Sequence, residues 1–379
     1  MGPGYDLRVT SGPPPPAIVQ PAAYEVSYGL VSGWVAKGTR RIVIRAGGRP
    51  LADKQVTGRH FTVRVDLPPR ELTLSVTAIG PNGRRSTSRV EHVVGLPQAA
   101  QPKAHAPHQD AALASKIRAL VTGYGGTCAV YVENLADGSG AAWNARARFP
   151  AASTLKLAIA VTALAAGDDA DGPGTMTDSL LRRMIQDSDN NAADELEIHV
   201  AGSTSAGGHR VDALMQELGL DDTLMYGGYE RDLAASSTSN PIPLRIDDQP
   251  SFARGKYTSA RDLAGLLRAV WLASRGLGPL HAREPSFTAG DARHLLYLLA
   301  LVRDTGKLGR EIGRVPGIQV LHKAGWISSV RHDNGLVFWR GGVFLATVMT
   351  YRAGGVGVAS DILAGLEAGA ALARFRRST

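Results

Sequence analysis

A serine and a lysine stand three residues apart in the segment Ser153-Thr-Leu-Lys156. The apolar run that follows predicts a helix with Ser153 in its first turn, so that the Lys156 amine lies on the same helix face and can reach the serine hydroxyl. Serine alone is a poor nucleophile, but an amine desolvated in the core can lose its proton and act as a base. The pair therefore predicts nucleophilic catalysis. The alternative, a helix cap followed by a solvated lysine, fits poorly with the apolar neighbours of Lys156.

A second polar group, Ser188-Asp189-Asn190, falls between two segments with helical patterns. In a loop near the first pair, Ser188 could relay a proton to a leaving nitrogen, and Asn190 could hold a substrate amide. Asp189 is expected to brace the loop. The alternative for this group is simple helix capping, for which these residue types are well suited.

The third group, Lys323-Ala324-Gly325, ends the apolar strand that begins at Ile318. Gly325 would let a substrate approach the strand edge closely. Lys323 would supply positive charge for a substrate carboxylate. The alternative is a solvated lysine on an edge strand.

The three motifs together are far more specific than any one of them, because each occurs in a suitable context and in a fixed order. They resemble those of the penicillin-recognising serine enzymes, and most closely the class A β-lactamase branch, over about residues 112–376. Flanking stretches also agree; they begin at Val132, Thr258 and Arg331. The resemblance implies an acyl-serine intermediate formed on Ser153 from a lactam or a peptidyl D-alanine. It also implies an oxyanion hole built from the backbone N–H groups of Ser153 and Trp326.

Several positions depart from the family pattern. Ala324 stands where the family usually has a hydroxyl, and Trp326 stands where small or polar residues are usual, which predicts a narrower cleft. The segment Glu230-Arg-Asp-Leu233 fits only part of the family's ExxLN pattern, and Gly228 replaces an arginine that usually anchors that loop. Because Glu230 matches the first position of that pattern, the resemblance makes it the candidate base for deacylation. The alternative is a surface glutamate.

The length of 379 residues, with 44% apolar and 20% charged residues, is typical of a globular chain of two domains. Residues 1–22 are rich in proline and predict a flexible tail. Residues 23–95 alternate apolar and polar side chains, which predicts an antiparallel, immunoglobulin-like β-sandwich with its aromatic residues, Trp34 among them, in the core. Residues 96–110 lack periodicity and predict a linker. Residues 111–379 mix helical and strand patterns, which predicts an α+β domain whose first strands join the last ones.

Most of the positive charge falls in the predicted sandwich, where twelve Lys/Arg face five Asp/Glu between residues 20 and 96, out of a total net charge of +8. This charge is typical of an ordinary solvated surface, with adhesion to an anionic cell-wall polymer as the alternative. The single cysteine, Cys128, lies in an apolar run and is expected to be buried and inert. No metal, cofactor or nucleic-acid partner is expected.

The segment Met1-Gly-Pro-Gly-Tyr lacks the features of a signal peptide, and no run of eighteen apolar residues occurs. A secreted or cell-envelope location is therefore expected only from the function. The predicted function is β-lactamase-like serine hydrolysis of a β-lactam or a related amide or ester. The alternatives are a slow-deacylating penicillin-binding protein that acts on cell-wall D-Ala peptides, and a catalytically silent wall-binding protein.

Overall fold

The structure, a computed structural model, describes residues 13–167, 172–232, 249–250 and 255–377. The chain forms two compact units, Met1–Gly95 and Leu96–Thr379. Residues 1–12 of the predicted flexible tail lie outside the described residues.

The N-terminal unit is all-β, as its two-residue periodicity predicts. In Arg41–Ala46 and Glu71–Ile79, every second side chain is buried. One sheet has the order β1-β3-β6 and the other has the order β2-β8-β7-β4-β5. A cluster that includes Ile44, Phe61 and Val76 forms the core, which is consistent with a sandwich. The strands are β1 Ala17–Gln20, β2 Glu25–Ser27, β3 Leu30–Trp34, β4 Arg41–Ala46, β5 Arg49–Gln55, β6 His60–Arg64, β7 Glu71–Ile79 and β8 Arg85–Gly95.

Three details of this unit differ from the sequence predictions. Strand β1 lies inside the segment predicted as a flexible tail, where it pairs with β3, and Ser88 Oγ donates a hydrogen bond to Pro16 O at 2.5 Å. Strands β2 and β8 pair in parallel, which an all-antiparallel sandwich would not contain. Trp34, predicted to pack in the core, is 55% exposed because it lies on the outward face of β3.

The C-terminal unit is built on a sheet with the order β14-β15-β16-β10-β11-β9. The early strand β10 pairs antiparallel with the late strand β16, so the first strands do return to join the last ones. Strand β14 lies at one edge of this sheet. The strands of the unit are β9 His108–Gln109, β10 Thr127–Asn134, β11 Ser139–Trp143, β12 Arg148–Pro150, β13 Tyr257–Ser259, β14 Gln319–Ile327, β15 Val330–Trp339 and β16 Gly342–Tyr351.

Helices cover both faces of this sheet. On one face, α1 and the C-terminal helix α10 enclose a core that contains the free cysteine Cys128, which is buried as predicted. Helix α6 packs on the strands of the other face and begins at the N-cap Ser259, whose hydroxyl accepts from Asp262 N. The helices are α1 Ala111–Thr122, α2 Lys156–Ala166, α3 Met176–Gln186, α4 Asn190–Ala201, α5 Thr204–Glu217, α6 Ala260–Ala273, α7 Gly278–Arg283, α8 Ala289–Ala300, α9 Gly309–Ile312 and α10 Gly357–Phe375. Among the helices of the described residues, none is both long and apolar enough to cross a membrane.

Residues 96–110, predicted to be a linker without packing, contact the C-terminal unit in the structure. Ala100 is fully buried, and the indole N–H of Trp271 donates to its carbonyl oxygen at 3.3 Å. Strand β9, at the end of this segment, pairs in parallel with β11. The prediction failed because these few anchor points have no period that a pattern search can detect.

Candidate active site

Ser153 lies in a 3₁₀ turn, Ala152–Leu155, that runs directly into helix α2 at Lys156. The sequence predicted the first turn of an α-helix at this place. The turn follows strand β12, and Ala152, just before the serine, has a φ of +47°. This left-handed conformation costs a non-glycine residue about 1–3 kcal/mol, and such strain is typical of functional sites. The Tyr229 hydroxyl donates to Ala152 O at 3.0 Å and so helps to hold the strained residue.

The side chain of Lys156 is completely buried, which rules out the solvated-lysine alternative. Its ammonium donates to Ser188 O at 2.5 Å and to Asn190 Oδ1 at 2.5 Å, and lies 3.5 Å from Ser188 Oγ. The sequence predicted a contact with the Ser153 hydroxyl instead, and among the described residues no hydrogen bond joins the two. Burial lowers the pKa of Lys156 to about 8, against the opposing charges of Asp189, Asp194 and Glu230.

Ser188 and Asn190 meet Lys156 because a short loop joins helices α3 and α4 at this point. Ser188 has a φ of +59°, a second strained position beside the serine turn. Asp189 caps α4 by accepting from Ala192 N, and it pairs with Arg183 at 2.5 Å, so it braces the loop as predicted. Capping is thus the role of Asp189, while Ser188 and Asn190 turn towards the lysine.

Lys323 lies on the edge strand β14, and its side chain reaches the hydroxyl of Ser188. Its ammonium donates to Ser188 Oγ at 3.0 Å, and its side chain is only 2% exposed, which is not a solvated edge charge. Burial and the nearby charge of Lys156 lower the pKa of Lys323 to about 7. The two amines and Ser188 therefore form one hydrogen-bonded group in which a proton can move.

Gly325 brings strand β14 into direct contact with the serine turn. A Cβ placed on this glycine would lie 2.8 Å from both Ser153 N and Thr154 N. A side chain at 325 would therefore collide with backbone atoms, and only glycine allows this approach. The next residue, Trp326, is 63% exposed and Ile327 is 46% exposed, so two apolar side chains project from the strand end that lies beside the turn.

Glu230 is an exposed carboxylate that joins this group through Asn190, whose Nδ2 donates to Glu230 Oε1 at 2.6 Å. The backbone around it is held by Asp194, whose carboxylate accepts from Tyr229 N, Glu230 N and Arg231 N at 2.5–2.8 Å. Leu233, which completes the partial motif, lies outside the described residues. Among the described residues, hydrogen bonds thus join the side chains of Lys156, Asn190, Glu230 and Lys323 to one another or to Ser188, and Gly325 lies against the turn that holds Ser153.

Two residues that shape the site, Asp194 and Tyr229, were not predicted from the sequence. Asp194 is fully buried, and the Tyr229 ring centroid lies 4.7 Å from Lys156 Nζ. Burial, reinforced by nearby carboxylates, keeps the pKa of the Tyr229 phenol well above its usual value, so it acts as a neutral donor. The available signal for Asp194 was its place in helix α4, which begins at Asn190. Asp194 lies one turn after Asn190, so it stays close to the same loop.

Comparison with known proteins places this geometry in a family. The sequence model of the β-lactamase enzyme family matches residues 112–177 and 168–373. The solved structure of PBP-A is similar with a TM-score of 0.55 and 21% identity, over 72% of this chain and 98% of that one. A β-lactamase from Sphaerobacter thermophilus is similar with a TM-score of 0.54 and 19% identity, over 70% of this chain and 97% of that one. No curated protein sequence matches significantly.

At these identities, the solved structures show a shared fold. The family match covers well over half of the chain and includes the three motifs and the Glu230 segment. The protein therefore belongs to the β-lactamase enzyme family and is a hydrolase with the serine β-lactamase fold.

Proposed function

We propose that the protein hydrolyses a β-lactam or a related amide or ester through an acyl-enzyme on Ser153. The observation that carries this proposal is the convergence of two buried amines, Lys156 and Lys323, on Ser188 Oγ, next to the turn that holds Ser153. Burial of two lysines lowers the stability of a fold, because both ammonium groups lose their hydration. Such a pair is therefore expected where it has a chemical role.

Acylation in this scheme uses Lys156 as the base. A pKa of about 8 leaves roughly a tenth of this amine neutral at pH 7, compared with well under a thousandth for an ordinary lysine. The neutral amine takes the Ser153 proton as Oγ attacks the carbonyl carbon. The backbone N–H groups of Ser153 and Trp326 stabilise the developing oxyanion. As the C–N bond breaks, Ser188 donates its proton to the leaving nitrogen and is reprotonated from Lys156.

Substrate binding would use the neighbouring groups. Lys323 attracts the substrate carboxylate, without help from a hydroxyl at Ala324, and Asn190 holds the substrate amide. The exposed Trp326 narrows the cleft. In deacylation, Glu230 takes a proton from a water, and the water oxygen attacks the carbonyl carbon of the ester. The bond from this carbon to Ser153 Oγ then breaks, and Glu230 returns the proton to Ser153. The hydrogen bond from Asn190 to Glu230 supports this role because it ties the carboxylate to the same group as Lys156.

A slow-deacylating penicillin-binding protein that acts on cell-wall D-Ala peptides is the second candidate. The exposure of Glu230 favours it, since a side chain open to solvent is held less firmly over the ester than a buried one. A variant of PBP-A has been solved as an acyl-enzyme complex with penicillin G. Because both candidate substrates occur outside the cytoplasm, we propose a secreted or cell-envelope location.

Labelling of the full-length chain with a fluorescent penicillin tests this proposal. We expect the wild type to be labelled and Ser153→Ala to remain unlabelled, while Ser139→Ala, at the first residue of β11, behaves as the wild type. The loss of label after washing then separates the candidates: release within seconds indicates a hydrolase, and a label stable for hours indicates a penicillin-binding protein. A wild type that takes up no label, or a Ser153→Ala variant labelled at the normal rate, would refute the nucleophile.

For the N-terminal unit, we propose binding to an anionic cell-wall polymer. Its excess of twelve basic over five acidic residues between positions 20 and 96 supports this. The exposed ring of Trp34, which contacts His60 edge-on at 4.9 Å, adds an aromatic surface. Co-sedimentation of the full chain with teichoic-acid-containing walls should weaken as salt rises and in Trp34→Ala. Sedimentation that is unaffected by salt would indicate that these charges only solvate the surface.

A further inference from the structure

One lysine outside the three motifs, Lys256, connects the nucleophile segment to the Glu230 segment, defined here as residues 226–232. Its backbone carbonyl accepts from Ala151 N at 2.9 Å, two residues before Ser153. Its ammonium donates to Gly228 O at 2.8 Å, two residues before Glu230. A single residue is therefore bonded to both segments that the proposed reaction must keep in register.

The ammonium of Lys256 also contacts the aromatic residues of the Glu230 segment. It lies 4.9 Å from the ring centroid of Tyr229 and 5.8 Å from that of Tyr226. Cation–π contacts of this length contribute about 0.5–2 kcal/mol, more when the cation is desolvated. Lys156 Nζ lies 4.7 Å from the centroid of the same Tyr229 ring, so both ammonium groups contact this tyrosine.

The surrounding charges favour this use of Lys256. The buried carboxyl of Glu197 has its pKa raised to about 9 by burial and by the charge of Asp194, against the charge of Lys256. Burial lowers the pKa of Lys256, and the nearby Glu197 and Asp194 oppose this effect by favouring the ammonium form. Asp194 already accepts three backbone N–H groups from residues 229–231. Lys256 and Asp194 thus hold the segment through its carbonyl and its amide groups respectively.

Gly228 shows why the usual arginine anchor is absent from this chain. A Cβ at this position would lie 2.5 Å from Arg231 O and 2.8 Å from Asp194 Oδ2. The tight turn therefore excludes any side chain at 228, and the anchor must come from elsewhere.

We infer that Lys256 is the positioning residue of the Glu230 segment, which it holds for deacylation by binding Gly228 O and the Tyr229 ring. This inference rests on the proposed function. The ammonium of Lys256 binds the Glu230 segment, and its carbonyl contact with Ala151 is independent of its side chain. Loss of the side chain should therefore affect deacylation far more than acylation.

The test compares Lys256→Met, which keeps the length but removes the donor and the charge, with Lys256→Arg, which retains both. In Lys256→Met, we expect penicillin label to persist roughly 10- to 100-fold longer than in the wild type, the effect of a displacement approaching 1 Å. The acylation rate should change less than about threefold. Lys256→Arg should recover part of the loss. Arg231→Gln is the matched control, because Arg231 belongs to the same segment and its side chain, within the described part of the chain, pairs with the half-exposed Glu195.

A second readout is independent of the reaction. Amide hydrogen exchange over residues 226–232 should be faster in Lys256→Met than in the wild type. Lys256→Gln, with the same expected changes, serves if the methionine variant does not fold. Normal label lifetime and normal exchange would overturn the inference while leaving Ser153 as the nucleophile. An equal slowing of acylation and deacylation would also overturn it. If the wild type takes up no label, the proposed function fails, and hydrogen exchange alone decides whether Lys256 anchors the segment.

Discussion

Replacement of Gly325 by alanine should slow acylation sharply, because this glycine is where strand β14 touches the serine turn. The new Cβ would lie 2.8 Å from Ser153 N and Thr154 N, and 3.1 Å from Thr154 Cγ2. Ordinary contact begins at 3.4 Å, so the strand and the turn would have to separate by about 0.6 Å, the difference between 3.4 and 2.8 Å. Rotation of a side chain cannot relieve the clash, because two of the three atoms belong to the backbone.

The expected loss follows from what this separation displaces. The strand carries the Trp326 N–H and the turn carries the Ser153 N–H, so the two donors of the proposed oxyanion hole would move apart. A misplacement of 1 Å can cost about 100-fold in rate. For 0.6 Å we expect acylation to fall about 10- to 100-fold, or roughly 1.4–2.7 kcal/mol in barrier height.

Stopped-flow labelling with a fluorescent penicillin measures this rate directly, and thermal melting reports the accompanying loss of stability. Gly369→Ala is the control, since a Cβ there meets nothing within 4 Å and the residue lies in helix α10. It should leave labelling unchanged and stabilise the protein by about 0.4–1 kcal/mol. If Gly325→Ala labels at the wild-type rate with an unchanged melting temperature, the close contact between strand and turn is refuted.

Three further outcomes are expected. Glu230→Gln should acylate normally and prolong the life of the label; an unchanged lifetime would make Glu230 a surface carboxylate. The rate constant of single-turnover acylation at saturating penicillin should rise with pH, with an inflection near 8 or below, because Lys156 accepts the serine proton only after losing its own. A rate constant that does not change between about pH 6 and 9 would exclude Lys156 as the base. A fragment of residues 111–379 should melt at a lower temperature than one of residues 96–379, because it loses the hydrogen bond from the Trp271 indole to Ala100 O, worth about 0.5–1.5 kcal/mol; equal melting temperatures would show that residues 96–110 add no stability.

Catalytic candidates could be predicted from the sequence in two cases. Some lie within a few residues of each other, and others belong to distant motifs that the family resemblance connects. The Ser153–Lys156 spacing and the Ser188 loop were recognisable within a few residues. The contact between Lys323 and Ser188 spans 135 positions and followed only from the resemblance. The partner of Lys156 was predicted wrongly, because helical spacing alone could not show that the loop of Ser188 would reach the amine first.

Other features lay beyond sequence reasoning for a physical reason. Asp194 and Lys256 act by binding backbone atoms of another segment, and backbone acceptors leave no trace in residue type. The packing of residues 96–110 depends on a few anchor points, such as the Trp271 indole on Ala100 O, rather than on a repeated pattern. The outward orientation of Trp34 depends on strand register, since a shift of one residue would have turned it inward.

The pairing of β10 with β16 has a consequence for how the enzyme is made. These strands are separated by nearly all of the C-terminal unit, and Thr127 is aligned with Tyr351. The central ladder therefore cannot close until the residues up to Tyr351 have left the ribosome. Such distant pairing predicts slow folding, because a long loop must be ordered before its contacts stabilise it. A chain truncated before Gly342 would lack the strand that joins β15 to β10, and should remain unfolded and open to proteolysis rather than form a smaller domain.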